Sequence, residues 1–353
     1  MKKTILGIVG FLIILITIFI LQPAPIDPVA YTPPEPQELT GALAPNDLLQ
    51  KAELLALGKI NGPEEVAVDS QGCVYGGTPG GKIMRLMPDG KLTTFAETKG
   101  RPLGLHFDKN KNLIVCDSHK GLLSIDPQGE IKTLATSANR VPFRFTDALD
   151  ISSNGTIYFT DASSKYGQDE YLYDLMESKP HGRFMSCDPA TGQVEVLLKN
   201  ICFANGVALS QDEDFVLINE TYRYRIIRYW LKGPKAGTHE IFIDNLPGFP
   251  DNISSNRKGT FWLALFTVRN KTADKIQPMP FLKAQISKLP RALWPEPKPY
   301  GLVLALDEQG NITKSLHDPT GKHLAEITSA KEYNGYLYLG SLHNDRIGKY
   351  RLP

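Results

Sequence analysis

The hydrophobic and polar residues of this chain follow a pattern that recurs six times. Each copy begins with alternating apolar residues, passes through a turn rich in Gly, Asn and Asp, and ends in a compact β-rich run. The copies span residues 66–77, 105–117, 149–161, 207–220, 253–265 and 327–340. Equivalent positions near their ends, Gly76, Cys116, Thr160, Asn219, Ala264 and Gly340, are 40, 44, 59, 45 and 76 residues apart. A four-stranded unit recurring every ~40 to 50 residues is typical of a propeller blade. The pattern therefore predicts an all-β, six-bladed β-propeller.

Two features of the pattern concern how the ring closes and where it is interrupted. The chain ends soon after the inner strands of the last blade, so the apolar run 54–60 is predicted to return as that blade's outer strand and cover the sheet edge. Helical patterns occupy residues 169–178 and 280–295. The second pattern places Leu282, Ile286, Leu289 and Leu293 on one face of a helix. It accounts for the spacing of 76 residues and predicts an insertion in the fifth blade at about 267–299.

The first 47 residues differ from the rest. Two lysines precede an apolar stretch of 17 residues from Ile5 to Leu21, which as a helix is about 25 Å long and can cross a bilayer. A retained anchor is favoured over a cleaved signal peptide, because the apolar core is long and the following residues are a poor cleavage site. Lysines ahead of the span place that end in the cytoplasm and the propeller outside it. The predicted units are a membrane anchor (or signal peptide) at 1–22, a proline-rich extended linker at 23–47 and the propeller at 48–353.

Composition narrows the class of partner. The formal net charge is +1, and no basic run follows Lys2 and Lys3, so nucleic acid is not an expected partner. Four cysteines allow either two disulfides or four buried thiols, and the sequence leaves that choice open. None lies in a Cys-x-x-Cys or Cys/His cluster, which argues against zinc.

Acidic and amide side chains stand just ahead of most repeats, where the innermost strand of each blade enters the channel. They are Glu64 and Glu65, Asp147 (after Thr146), Asn205, Asp251 with Asn252, and Glu326. Hard oxygen ligands without thiol or imidazole suit Ca²⁺, or Mg²⁺, rather than zinc. The alternative is that these Asp and Asn residues only form turns. Because these side chains occupy the same position relative to successive repeats, a metal site in the channel is favoured.

These positions also carry a resemblance to a known family. From about residue 62 onward the chain resembles the strictosidine synthase-like branch of calcium-dependent six-bladed propellers, which includes the adipocyte plasma membrane-associated proteins. It is more distantly similar to regucalcin/gluconolactonase and to the paraoxonases. The motifs that carry the resemblance lie at residues 62–64, 158–165, 204–209, 228–234, 249–253 and 336–340.

The resemblance implies roles for particular residues. Glu64 and Asn205 match calcium ligands of the family. Asp251 matches the aspartate that both approaches the metal and serves as base or activator of the nucleophile in the lactonases, and Asn252 accompanies it. Thr146 stands where the family often has another asparagine, which leaves Asp147 or a water molecule to complete the metal shell.

At two positions this chain differs from members of the family, and both differences limit the reactions that it is expected to catalyse. The plant synthase uses a glutamate in its last blade, and the matching position here is Thr328, with Glu326 two residues upstream on the same face. Paraoxonases carry a channel histidine where this chain has Leu103. His106 and His119 lie near this position in the sequence but are expected to be ordinary strand-end residues. His181 is therefore the candidate histidine at the channel rim and a candidate catalytic residue.

These observations together predict a calcium-dependent hydrolase of lactones or aryl esters, with Asp251 and His181 as catalytic candidates. A divalent ion with open positions polarises a carbonyl, and a nearby carboxylate can orient the attacking water. The first alternative is a non-catalytic propeller that binds a ligand or a protein, with calcium as a structural element. The second is an amine–aldehyde condensing lyase of the strictosidine synthase type. The insertion is expected to be an apolar lid, a membrane contact or a helix packed on the propeller.

Overall fold

Six four-stranded antiparallel sheets follow one another in the computed structural model, which describes residues 2–353. The strands, in chain order, are β1 (Glu53–Leu55), β2 (Val66–Val68), β3 (Val74–Gly77), β4 (Lys82–Leu86), β5 (Leu92–Glu97), β6 (Pro102–Phe107), β7 (Leu113–Asp117), β8 (Gly121–Ile125), β9 (Ile131–Ala135), β10 (Ser137–Ala138), β11 (Val141–Pro142), β12 (Thr146–Ile151), β13 (Ile157–Asp161), β14 (Gly182–Asp188), β15 (Gln193–Ile201), β16 (Ala204–Leu209), β17 (Phe215–Glu220), β18 (Arg225–Trp230), β19 (His239–Ile243), β20 (Gly248–Ser255), β21 (Phe261–Val268), β22 (Gly301–Leu306), β23 (Ile312–Asp318), β24 (Ile327–Tyr333), β25 (Tyr336–Ser341) and β26 (Ile347–Arg351).

The sheets are the blades of a closed ring. Five blades are β2–β5, β6–β9, β12–β15, β16–β19 and β20–β23, and the sixth is β24, β25, β26 and β1. The first strand of every blade contacts the first strand of the next one, from β2 through β6, β12, β16, β20 and β24 back to β2. These six strands therefore surround the central channel. The predicted six-bladed propeller is confirmed.

Turn chemistry sets the length of the strands. The loop from β8 to β9 is representative: Asp126 Oδ1 accepts the backbone N–H groups of Gln128 and Glu130, both at 2.9 Å. Gly129 in this turn has φ of +91°, which strongly favours glycine. Asp307 makes the same pair of hydrogen bonds between β22 and β23. Such local bonds satisfy the backbone where the ladder ends.

The hydrophobic core lies between neighbouring blades. One cluster joins Leu217 of the fourth blade to Leu263 and Leu302 of the fifth, and five similar clusters fill the other spaces around the ring. Because each interblade layer uses side chains from two sheets, no blade can bury its apolar faces alone. The packing holds the first strands in fixed positions around the channel.

The N-terminal part of the propeller closes the ring. β1 pairs antiparallel with β26 in the register Glu53 to Lys349 and Leu55 to Ile347. The predicted outer strand is thus present, although it begins one residue earlier than run 54–60 and is shorter. It covers the edge that β26 would otherwise expose.

Residues 23–47 follow the surface of the propeller. The Val29 N–H donates to Glu177 O at 3.0 Å and the Tyr31 N–H to Gln277 O at 3.1 Å. Ile26 and Leu43 are buried. These contacts attach the segment to the propeller at several points along its length.

Residues 2–353 contain four α-helices. α1 (Lys2–Leu21) is long and apolar enough to cross a membrane. α2 (Tyr171–Glu177) lies between β13 and β14, and α3 (Lys271–Ile276) and α4 (Pro280–Ile286) lie between β21 and β22. The helix predicted over 280–295 is therefore shorter than expected. Pro290 explains the difference, because it has no N–H and its ring clashes with the carbonyl of residue 286.

All four cysteines, Cys73, Cys116, Cys187 and Cys202, are buried free thiols. Each lies in or beside a packed strand, where it behaves as a small apolar side chain. The choice that the sequence left open is resolved in favour of free thiols.

Candidate functional site

The candidate ligands are positioned by irregularities at the start of the first strands. The register of β12 with β13 shifts between Thr146 and Leu149, and that of β16 with β17 between Ala204 and Val207. β20 shifts between Pro250 and Ile253. A bulge lets successive side chains point away from their ordinary alternation. Asp147, Asn205, Asp251 and Asn252 all lie within these irregular stretches.

Four of the predicted metal-site residues form a connected group at one end of the channel. Asn252 Nδ2 donates to Glu64 Oε1 at 2.9 Å. Asp251 lies close enough to Glu64 and to Asn205 for both side chains to influence its pKa. All four side chains are buried. The structure thus brings together residues that are up to 188 positions apart in the chain.

Several oxygen atoms in this group have no hydrogen-bond partner. They are Glu64 Oε2, Asn205 Oδ1 and Asn252 Oδ1. A buried polar atom left without a partner costs free energy, so three of them in one place indicate a binding site for a species that they can coordinate. Carboxylate and amide oxygens fit Ca²⁺, which accepts irregular oxygen shells, and Mg²⁺ less well. Within residues 2–353, no group of three or more His, Cys, Asp or Glu side chains is placed to hold a metal ion. Two of the four side chains in this group, Asn205 and Asn252, are amides.

The carboxyl groups of the site have strongly shifted pKa values. Burial, and next the charge of Asp147, raises the pKa of Glu64 to about 8. Burial and the charge of Glu64 raise the pKa of Asp251 well above its usual range, and burial with Glu65 does the same for Asp147. Arg101 opposes the shifts of Glu64 and Asp147, but it is buried and its side chain donates to Gly62 O at 3.1 Å rather than to a carboxylate. The site therefore holds acidic groups that lack a neutralising partner of their own.

Side chains from neighbouring strands fix the backbone of the candidate ligands. Thr160 Oγ1 donates to Asn205 O at 2.8 Å, and Asn219 Nδ2 donates to Asp251 O. Thr328 Oγ1 donates to Glu64 O at 2.5 Å. This supporting role of Thr160, Asn219 and Thr328 was not predicted from the sequence. The signal was available, because Thr160 and Asn219 occupy the same position in successive repeats.

Gly206 allows the strands behind the site to approach closely. A Cβ atom at this position would lie 2.6 Å from Asp251 O and 2.7 Å from Asn219 Nδ2. Any larger residue must push β16 away from β20. The Asn-Gly pair at 205–206 therefore combines a candidate ligand with the space that lets its neighbour reach the channel.

A cavity of about 330 Å³ opens above the group. Its floor includes Glu64, Asp147, Asn205 and Asp251, and its walls are mostly apolar. The wall residues include Leu103, Phe145, Tyr171, Phe203, Phe249, Phe266 and Trp294. Arg291 and residues 294–297 of the fifth-blade insertion line the same cavity. The insertion thus forms part of the wall, as the lid expectation requires.

Two of the sequence candidates lie elsewhere. His181 does not line the cavity: its Nε2 lies 2.8 Å from Glu177 Oε1, in a cluster that also includes Lys165 and Tyr166. Glu326 is likewise absent from the lining, and its Oε2 contacts His343 Nδ1 at 2.5 Å. The structure therefore brings Asp251 together with the oxygen group but leaves His181 apart from it.

The far end of the channel is built differently. There Asp150 lies near the end of β12, and both of its carboxylate oxygens accept hydrogen bonds from Arg257 Nη2 at 2.9 Å. Its Oδ2 also accepts a hydrogen bond from the Leu209 N–H at 2.8 Å. His106 Nε2 lies 3.3 Å from the same carboxylate. Burial alone would raise the pKa of Asp150, but the charge of Arg257 outweighs it and lowers the pKa. Burial lowers the pKa of His106 to about 4, so Arg257 is the charged partner of this carboxylate near neutral pH.

Comparison with known proteins places this architecture in a family. Two family models match, Strictosidine synthase at residues 147–234 and Strictosidine synthase-like, N-terminal, at residues 41–86. The adipocyte plasma membrane-associated protein of Rattus norvegicus is 36% identical over 363 residues, covering 96% of each chain.

Solved structures show the same fold at low identity. A gluconolactonase of Xanthomonas campestris is 17% identical with a TM-score of 0.64, covering 94% of this chain and 99% of its own. A calcium-binding regucalcin of Agrobacterium tumefaciens is 15% identical with a TM-score of 0.60, covering 84% and 92%. These neighbours support the ring of six blades, and the full-length likeness to the rat protein decides the family. The chain belongs to the strictosidine synthase-like family, in the branch of the adipocyte plasma membrane-associated proteins.

Proposed function

We propose that this protein is a calcium-dependent hydrolase of lactones or aryl esters. The observation that carries the proposal is the set of three unpartnered, buried oxygens beside Asp251, at the floor of a cavity with apolar walls. The oxygens provide a place for a divalent ion, and the walls provide a place for the apolar part of a substrate. A polar group of an ester would then meet the floor of the cavity.

The residues of the chain have separate roles in this proposal. Glu64, Asn205, Asp251 and Asn252 would hold the ion, with Asp147 next to them as a further oxygen donor. When bound, the ion supplies Lewis-acid polarisation of the ester carbonyl. Asp251 can also accept a hydrogen bond from a water molecule on the floor and orient it towards the carbonyl. Phe145, Phe203 and Trp294 would exclude bulk water from the bound acyl or aryl group.

A non-catalytic propeller that binds a ligand is the second candidate. It is favoured by the lining of the cavity, in which the described residues 2–353 place no histidine, whereas Leu103 occupies the position of the paraoxonase histidine. In that case the same ion would act only as a structural element. The two candidates differ in whether hydrolysis occurs, not in whether the ion binds.

A condensing lyase of the strictosidine synthase type has less support. Thr328 stands at the position of the synthase glutamate, and its hydroxyl is used to hold Glu64 O. Glu326 contacts His343 outside the cavity lining. Neither residue offers a carboxylate to an amine in the cavity.

Membrane association follows from α1 and is consistent with the plasma-membrane name of the rat relative. The lysines before α1 favour a cytoplasmic N-terminus, so the propeller would lie outside the cytoplasm.

The proposal is tested with the full chain in detergent and a panel of lactones and aryl esters. Hydrolysis is measured with Ca²⁺, with a chelator and in the Asp251→Asn variant, with Asp150→Asn as the matched control. We expect activity that is lost on chelation and in Asp251→Asn but kept in Asp150→Asn. Activity that survives chelation would overturn the proposal. Absence of hydrolysis, with a melting temperature that falls on chelation, would favour the binding propeller.

A further inference from the structure

The propeller is attached to α1 by a very short free segment. α1 ends at Leu21, and Ile26 is already buried in the propeller. The Asp27 N–H then donates to Glu177 Oε2, the last residue of α2, at 2.9 Å. Five residues span at most about 18 Å when fully extended. The face of the propeller that carries α2 must therefore lie close to the bilayer that α1 can cross.

The fifth-blade insertion lies on this same face. Lys283 of α4 is 1% exposed, and its Nζ donates to Val29 O at 2.7 Å and to Ser178 Oγ at 2.9 Å. Lys288, just after α4, donates to the carbonyls of Phe19 and Ile20 at 3.1 and 3.0 Å. The insertion thus contacts both the attached N-terminal segment and the end of α1.

The outer side of the insertion is unusually apolar for a protein surface. Among residues 22–353, nine large hydrophobic side chains are exposed, and four of them lie in one stretch of 15 residues of the insertion. These four, which we call the apolar patch, are Met279 (51% exposed), Phe281 (66%), Leu282 (38%) and Leu293 (65%). The other five are spread over separate parts of the chain. A concentration of this kind marks a surface that is covered by something else.

Charge identifies the kind of surface that covers it. Residues 271–298 contain six basic and two acidic side chains, a net charge of +4, whereas the whole chain has +1. Lys271, Lys275, Arg291 and Lys298 are exposed. Apolar side chains together with exposed cations are suited to the boundary between acyl chains and the phosphate groups of the lipid headgroups.

We propose that the apolar patch inserts into the interfacial layer of the leaflet at which α1 ends. The short attachment brings the insertion to the bilayer, the contact of Lys288 with α1 fixes its place there, and the patch and its charges match the layer that they meet. The propeller is then held at two points, by the span and by the patch, rather than being free to turn on a flexible stalk.

This orientation has a consequence for the cavity. Arg291 and Trp294 of the insertion line it, so its mouth opens beside the leaflet. A ligand with a hydrocarbon or aryl group would reach the cavity from the bilayer rather than from water. The ligand class rests on the proposed function, whereas the docking of the patch does not.

The test uses the full chain in nanodiscs that contain phosphatidylcholine and phosphatidylserine. Because all four native cysteines are buried, a spin label can be directed to a cysteine introduced by Phe281→Cys. Ile131→Cys is the matched control, since Ile131 is a 39% exposed hydrophobic residue on β9, in another blade. Accessibility of each label to oxygen and to an aqueous nickel complex is then measured by EPR power saturation.

We expect the label at position 281 to be shifted towards oxygen and away from nickel, relative to the label at 131. Leu293→Cys should show the same shift. Equal nickel accessibility at 281 and 131 would overturn the proposal. Low accessibility of position 281 to both reagents would also overturn it, because it would show that protein covers the patch. Neither measurement depends on hydrolysis.

Discussion

The buried carboxylates at the two ends of the central channel have opposite surroundings and opposite pKa shifts. At the far end, Asp150 is paired with Arg257 and approached by His106, and its pKa is lowered. At the cavity end, Glu64 and Asp251 have no ion pair, and their pKa values are raised. Both sets lie on or next to the same ring of first strands. The difference is therefore one of partners and not of depth.

In the proposed function, this contrast locates the cation at the cavity end of the channel. A buried carboxylate is stable when a charged partner and hydrogen bonds replace its lost hydration, as they do around Asp150. Around Glu64 those partners are missing, and oxygens of Asn205 and Asn252 are left unpartnered as well. A divalent ion would supply at the cavity end the charge that Arg257 supplies at the far end. The five predictions that follow, from the largest effect to the smallest, would break or sharpen this comparison.

Removing a carboxylate from the cavity end should have the largest effect. We expect Asp251→Asn to weaken Ca²⁺ binding by more than the about 10- to 100-fold that loss of an outer-shell partner typically costs. Calorimetric titration of the full chain measures the change. A variant with unaltered affinity would show that Asp251 does not hold the ion.

Loosening the support behind the site should have an intermediate effect. In Asn219→Ala the carbonyl of Asp251 loses its donor, so the ligand is held less firmly. We expect Ca²⁺ affinity to fall by about 10- to 100-fold. Asn219→Asp keeps the size of the side chain but not the donor, and should resemble Asn219→Ala. Normal affinity in both variants would contradict a positioning role.

The pH dependence of binding should follow from the raised pKa of Glu64. Below about pH 8 this carboxyl is protonated in the ion-free protein, and the ion must displace that proton. Affinity should therefore rise with pH up to about 8, by about tenfold per pH unit for each proton released. Ion-free protein should conversely lose stability as pH rises from 4.5 towards 8, because the folded state opposes ionisation. The gain in melting temperature on adding Ca²⁺ should thus be larger at pH 8 than at pH 6, and an equal gain at both would contradict the assignment.

Removing the charge of Asp150 at the far end should change the stability of the fold without changing Ca²⁺ binding. Asp150→Asn leaves Arg257 without its buried partner, and we expect a loss of about 1–3 kcal/mol in the free energy of unfolding. Ca²⁺ affinity should stay the same. Denaturant unfolding measures the first quantity and titration the second. If this variant lost the ion as Asp251→Asn does, the two ends would not be independent.

His181 provides the smallest expected effect. Its ring contacts Glu177 and lies outside the cavity lining. We expect His181→Gln to leave hydrolysis unchanged and to lower the free energy of unfolding by about 1 kcal/mol. A large loss of hydrolytic activity without loss of stability would show that His181 takes part in catalysis.

Much of this arrangement could be predicted from sequence because it repeats. Alternating apolar residues and turn signals predicted the six blades and the closing strand. The phase of the repeats gave a larger set of channel positions, and the family resemblance implied that Glu64, Asn205 and Asp251 among them are ligands. What did not repeat could not be located in this way. The attachment of residues 23–47 depends on distant partners such as Glu177, which proline content does not reveal. The role of Asn219 depends on a bond to a backbone carbonyl in the next blade.

The pairing of His181 was also beyond the sequence reasoning, although Glu177 lies four residues before it. In the insertion, apolar periodicity suggested one long helix, but the covalent restriction at Pro290 prevailed over the pattern. Local backbone chemistry and long-range contacts thus account for the differences between sequence and structure.

The most direct test of the central claim is a Ca²⁺ titration by calorimetry at pH 8 with three forms of the full chain. These are the unaltered protein, Asp251→Asn and Asp150→Asn, which make the same substitution at the two ends of the channel. The account predicts one site in the unaltered protein, its loss in Asp251→Asn and its retention in Asp150→Asn. No binding to the unaltered protein, or equal binding to all three forms, would contradict it.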